Sequence, residues 1–190
     1  EMTALGWQED DFLSMESESF ASIDFAQGDE TVSFIAFDLA GSTATGLSGT
    51  FTGIQSLTGS GSALDAILGT NGADIFHING ADSGDVNGIL FSSVPNLDGG
   101  SGDDGFFFLG SGSLSGGILG GADSDSIDYT GFGSPIAVAM ESQSATNLPA
   151  FSGIEYFTGS LFVDSLQGKA AGSTFDITGA DAFTVDGVVF

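Results

Sequence analysis

The chain lacks cysteine and arginine and carries one lysine, Lys169, one histidine, His77, and three prolines. Without cysteine there is neither a disulfide framework nor a thiolate metal site. A single histidine cannot build a histidine-rich zinc or iron site, and His77 reads as an outward surface position. Three prolines exclude a collagen-like or Pro-rich linker composition. One base stands against 26 acids, so the formal charge is −25 and salt bridges cannot neutralise it. Nucleic acid is excluded as a partner, because backbone binding needs Lys or Arg to displace counterions. Anionic membrane surfaces are disfavoured for the same reason. No apolar run is long enough to cross a bilayer as a helix, so no membrane insertion is expected. The first residues, Glu1 to Trp7, have no basic region of the signal-peptide kind. No sustained 3.6-residue period is present, so helix is not expected.

What is present is apolar and repetitive. The composition is 41% hydrophobic with 18 Phe and 31 Gly, too apolar for a disordered chain of this length. Phe51-Thr52-Gly53-Ile54 recurs as Phe151-Ser152-Gly153-Ile154, and Thr58-Gly59-Ser60 as Thr158-Gly159-Ser160. Asp65 to Gly69 matches Asp164 to Gly168, and Phe76-His77-Ile78 matches Phe175-Asp176-Ile177. Ser22-Ile23-Asp24-Phe25 resembles Ser126-Ile127-Asp128-Tyr129. The unit is therefore about 100 residues long and present about twice. Its boundaries fall near 21–121 and 122–190, the second copy being incomplete.

Within the unit, short β-type runs alternate with Gly/Ser/Asp/Asn turns. Runs of the same kind recur about every 20 residues, the spacing of one solenoid coil. The expected fold is all-β: a parallel β-solenoid of the β-helix or β-roll kind, with coils of about 20–22 residues, over 21–190. Residues 1–20, irregular and acidic, read as a cap on the first coil. Ile54, Ile75, Leu97, Ile118, Ile136, Ile154 and Phe175 form the expected inward row. In Phe106-Phe107-Phe108 strand alternation places at least one ring outside.

The acids concentrate on one expected edge. Asp65, Asp85, Asp104, Asp125 and Asp164 each directly precede a strand, so stacking brings them about 5 Å apart. Carboxylates at that spacing repel unless a cation lies between them. Asp74 falls on the opposite edge with no stacked partner.

Gly99-Gly100-Ser101-Gly102-Asp103-Asp104-Gly105-Phe106-Phe107 resembles the RTX nonapeptide G-G-x-G-x-D-x-U-x. Gly120 to Asp128 and Gly69 to His77 match it with one glycine replaced in each. Asn96 to Gly100 and Gly153 to Ser160 resemble the filamentous-haemagglutinin-like β-strand repeats of bacterial surface adhesins. The looser resemblance covers most of 22–190, whereas the RTX-like text covers three turns and lacks tandem perfect nonapeptides. The RTX resemblance implies Ca2+ held between adjacent coils by Asp carboxylates and turn carbonyls. Carried over, the metal candidates are Asp98, Asp103, Asp104, Asp123 and Asp125, with Asp82 and Asp85 on the same edge. The competing reading is a Gly/Asp turn selected for positive φ and side-chain hydrogen bonding.

These observations imply a non-catalytic structural or adhesive segment of a secreted bacterial surface protein or extracellular filament, stabilised by Ca2+. Its partners would be a cell-surface or matrix target, including glycans, and further copies stacked end to end. The alternatives are a carbohydrate-binding module using Trp7, Tyr129 or Tyr156, or a solenoid polysaccharide-degrading enzyme. With no Arg, one Lys and one His, the second lacks the groups that neutralise and deprotonate an acidic sugar.

Overall fold

In the computed structural model the described residues are 22–24, 36–44, 53–177 and 183–190. The expected cap lies outside them. All regular structure among the described residues is strand, arranged as sheets of 11, 6 and 3 strands. The chain winds as a β-solenoid of about five turns. In the first sheet Ile75–Gly80, Gly105–Phe108, Ser126–Asp128 and Tyr156–Thr158 stack in parallel. In the second, Ala36–Asp38, Ala66–Leu68, Asn96–Ser101, Gly117–Ala122 and Ala150–Ser152 do the same.

Strand alternation sends every second side chain inward. Two rows of apolar side chains result. Phe76, Phe106, Ile127 and Phe157 are in register along the first sheet. Phe37, Ile67, Leu97, Ile118 and Phe151 are in register along the second. None of these nine is more than 4% exposed. The rings of Phe76 and Phe106 stack at 4.8 Å, and Phe108 lies flat on Tyr129 at 4.5 Å. Phe106 and Phe108 face inward while Phe107 faces out beside His77, as alternation requires.

The expected inward row is corrected in part. Leu97 and Ile118 do face each other, but Ile75 is 49% exposed. Ile54, Ile136 and Ile154 are buried outside both rows, and the Phe175 side chain lies outside the described set. The cause is coil length. Stacked partners are 21 residues apart for Gly105↔Ser126 and Leu97↔Ile118. They are 30 apart for Ile75↔Gly105 and Ala36↔Ala66, and 34 for Ser22↔Ser56. The expected 20–22 residues therefore describe one coil, and the others carry inserted turns and hairpins.

The hairpins carry the long repeat. Ile75–Gly80, Ser83–Val86 and Ile89–Ser92 form an antiparallel meander with Phe76 opposite Val86. Phe175–Ile177, Phe183–Val185 and Val188–Val189 repeat it with Phe175 opposite Val185. Asn87-Gly88, at φ 50° and 83°, closes the first meander, and Asp186-Gly187, at 51° and 93°, closes the second. Two successive positive φ values suit Asn-Gly and Asp-Gly pairs and match the twist of the flanking strands.

Phe106→Ala empties a fully buried ring site and is expected to cost about 3–5 kcal/mol, read by denaturant unfolding. Phe107→Ala, one residue along on the outer face, is expected to cost less than half as much.

Candidate cation-binding corners

Five corners share one construction. A glycine lies near the end of one strand or just after it, and an aspartate five or six residues later directly precedes the next: Gly59/Asp65, Gly69/Asp74, Gly99/Asp104, Gly120/Asp125 and Gly159/Asp164. The aspartate folds back so that Oδ2 lies over the glycine Cα. A methyl group on Gly99 would sit 2.2 Å from Asp104 Oδ2 and 2.4 Å from the Gly120 carbonyl oxygen. On Gly120 it would sit 2.6 Å from Asp125 Oδ2 and 1.8 Å from the Gly153 carbonyl oxygen. Glycine is required here because the carboxylate occupies the side-chain position. Asp65, Asp74, Asp104 and Asp125 are consequently no more than 1% exposed.

The carboxylates also tie coil to coil. Asp74 N–H donates to Asp104 Oδ1 at 2.7 Å, and Asp104 N–H to Asp125 Oδ1 at 2.9 Å. Asp125 N–H continues the row to Glu155 Oε2 at 2.9 Å. Outside this row, Ser124 N–H donates to Asp103 Oδ1 and Gly102 N–H to Asp123 Oδ2.

The corners differ in what meets the second carboxylate oxygen. Asp65 Oδ2 accepts the N–H groups of Gly61 and Ser62 and the Ser60 hydroxyl. Asp74 Oδ2 accepts the N–H and hydroxyl of Thr70. Asp164 takes the Ser160 N–H on Oδ2 and the Ser160 hydroxyl on Oδ1. Asp104 Oδ2 and Asp125 Oδ2 are buried with no hydrogen-bond partner. A buried carboxylate oxygen without a donor carries its full desolvation cost.

This arrangement corrects the expected stack. Asp74, expected to stand alone, joins Asp104, Asp125 and Glu155. Asp65 caps the corner that enters the second sheet, where its carbonyl accepts the Asn96 N–H. Asp164 precedes Ser165–Gln167 in the third sheet, and Ile136 N–H donates to it. Asp85 lies in the hairpin, 3.1 Å from His77 Nδ1. Among the other metal candidates, Asp98 is on the outer face of the second sheet between Leu68 and Leu119. Asp82, at φ 47°, binds the N–H and hydroxyl of Ser115. The structure thus brings Asp103, Asp104, Asp123 and Asp125 to one pair of corners and sets Asp82, Asp85 and Asp98 apart. Glu155 was missed, although it directly precedes a strand as the stacked aspartates do. Tyr129 is fully buried, Tyr156 is 47% exposed and Trp7 lies outside the described residues.

The equivalent of Asp74 in the second copy is Ser173, and the equivalent of Asn87 is Asp186. Asn87 Nδ2 donates to Asp74 Oδ1, whereas the Ser173 hydroxyl donates to Asp186 Oδ2. Donor and acceptor have changed sides. Asp186 also accepts the Thr174 N–H and lies 3.4 Å from Lys169 Nζ. The Thr174 N–H, then the Ser173 hydroxyl, hold its carboxyl below the ordinary value.

Burial acts the other way on the row. It pushes the Asp104 carboxyl up from 3.8 to about 6, opposed by the Asp74 N–H and helped by the charges of Asp125, Asp74 and Asp103. Asp125 is raised too, by burial first and then by Glu155, Asp103 and Asp123. Burial also raises Asp98. No three acidic or histidine side chains converge as one metal-ligand group among the described residues. Comparison with protein-family models, curated proteins and solved structures gave no match.

Gly99→Ala is expected to destabilise strongly, by several kcal/mol, since backbone and carboxylate oxygens both block the added methyl. Gly72→Ala, with nothing nearer than Thr70 Oγ1 at 4.0 Å, is the tolerated control in the same unfolding measurement. The raised Asp104 pKa has a definite sign. The native state holds a proton that the unfolded chain releases, so stability is fully present below 3.8 and falls as pH rises to about 6. With divalent cations chelated, Asp104→Asn is expected to flatten this part of the pH–stability profile. Asn retains Oδ1 for the Asp74 N–H and offers an amide donor in place of Oδ2, worth about 1 kcal/mol at neutral pH.

Proposed function

We propose that the chain is a non-catalytic structural or adhesive segment of a secreted bacterial surface protein or extracellular filament, stabilised by Ca2+ at two stacked corners. The observation that carries the calcium reading is the pair of buried, unpartnered oxygens, Asp104 Oδ2 and Asp125 Oδ2, in consecutive coils. Each crowds a glycine that a backbone carbonyl oxygen also approaches, Gly120 O in one case and Gly153 O in the other. The same crowding occurs at Gly59 and Gly69, so what sets these two corners apart is the missing donor, and a buried anionic oxygen without a donor requires a proton or a cation. The donor set is all oxygen, which suits a hard cation, and Ca2+ completes its shell with carbonyls and water where side chains are few. Asp104 and Asp125 would hold the ion, with Asp103 and Asp123 adding negative charge at the rim. A bound ion would offset the repulsion along the carboxylate row and so act on stability.

The non-catalytic part of the reading is supported by what the acids do. The carboxylates of Asp104, Asp125 and Glu155 accept backbone N–H groups from neighbouring coils, which spends them on structure. The adhesive and extracellular part rests on the resemblance to surface-adhesin repeats. Stacking of further copies on the sheet ends belongs to the same reading.

Calorimetric melting in EGTA and then in excess Ca2+ tests the calcium part. At a hundredfold excess over Kd one site adds about 2.7 kcal/mol, a rise in Tm of about 5–10 °C for a chain of this size. An unchanged Tm would overturn it. Asp104→Asn and Asp125→Asn are each expected to reduce the rise, whereas Asp85→Asn is expected to leave it intact.

A further inference from the structure

The five corners have one backbone plan and two chemical endings. In the three closed ones, the residue after the glycine is Ser60, Thr70 or Ser160. Its hydroxyl donates to the corner carboxylate in each, and in two of them its N–H does as well. In the two open ones that residue is Gly100 or Gly121, at φ 95° and 114°. Glycine brings no hydroxyl, and positive φ turns the peptide away from the carboxylate. The Gly100 N–H accordingly donates to Asp98 Oδ1 at 3.1 Å. Serine or threonine cannot adopt that backbone without strain. On Gly121 a side chain would also meet the Gly100 carbonyl oxygen at 2.2 Å. The second position therefore sets both the peptide orientation and the supply of donors.

We propose that the residue after the corner glycine determines whether a corner takes a cation: Ser60, Thr70 and Ser160 replace the ion with donors from the chain, and Gly100 and Gly121 leave its place open. This rests on the calcium reading above and extends it to all five corners. An anionic oxygen taken out of water needs either converging donors or a positive charge. The closed corners have two or three donors on the carboxylate from within the turn, while Oδ2 of each open corner has none. The turn at Asp74 thus ranks as cation-free although its text is close to the nonapeptide. The pair of open corners falls on the one 21-residue coil, where Gly121 is in register with Gly100.

Corner exchange tests this, because the turns 69–74 and 120–125 are both six residues long. The variant Thr70→Gly, Asn71→Ala, Gly72→Asp, Ala73→Ser opens the closed turn. It is expected to bind one more Ca2+ than the parent by isothermal titration calorimetry and to show a larger Tm rise with Ca2+. The reciprocal variant Gly121→Thr, Ala122→Asn, Asp123→Gly, Ser124→Ala is expected to bind less Ca2+ and to show a smaller Tm rise with Ca2+ relative to its own melting in EGTA. Ala122→Asn with Ser124→Ala changes the same turn but keeps Gly121 and every carboxylate, and is expected to retain the parent count. If the parent binds Ca2+ and both exchanges leave the count unchanged, the second-position rule is overturned and the calcium reading stands. If the parent binds none, the calcium reading falls and takes the rule with it. An opened variant that folds only in Ca2+ supports the rule, and melting in both buffers reads that outcome.

Discussion

The fold depends on carboxylates laid over glycines at the coil corners. Each does two things at once. It fills the space that the missing glycine side chain leaves, and its other oxygen can receive an N–H from the neighbouring coil. In the row Asp74, Asp104, Asp125 and Glu155 the coils are thereby locked in register where the backbone bonds between coils begin. A slip of one residue would break that row and turn the apolar rows of both sheets outward together. Corner and core therefore specify the same stacking.

Charge makes this lock conditional. With 26 acids and one lysine the chain has almost no internal cation to set against its carboxylates. Backbone and side-chain dipoles take that place at Asp65, Asp74 and Asp164. At Asp104 the same construction leaves one oxygen bare, and burial raises its pKa to about 6. Neighbouring corners thus differ in how their carboxylates are satisfied, and the two with a bare oxygen lie on the 21-residue coil.

Much of the architecture was legible in the sequence, for reasons that can be named. Alternation in Phe106-Phe107-Phe108 and the spacing of Gly99 and Gly120 come from local chemistry, and both hold. The 100-residue repeat reappears as two meanders closed by Asn87-Gly88 and Asp186-Gly187. Those dipeptides were the signal for the hairpins, and they were passed over because a uniform coil was assumed. That assumption also misplaced the inward row and assigned Asp85 to the stack in place of Asp74. Coil length is set by insertions at the corners, and a strand of three residues has no feature that names its partner 21, 30 or 34 residues away. Which carboxylate oxygen lacks a donor depends on peptide orientation in the folded corner, which residue types alone do not specify.

The exchange between Asp74/Asn87 and Ser173/Asp186 has an electrostatic consequence. A repeated unit can keep one hydrogen bond while reversing its polarity, so the turn requires the pair and not a particular residue at either end. In the first copy the acid ends inside, stacked beneath another acid. In the second it is exposed beside the single lysine, and a half-buried serine takes the place of the buried acid. The two meanders are therefore electrically different objects with one hydrogen-bonding plan.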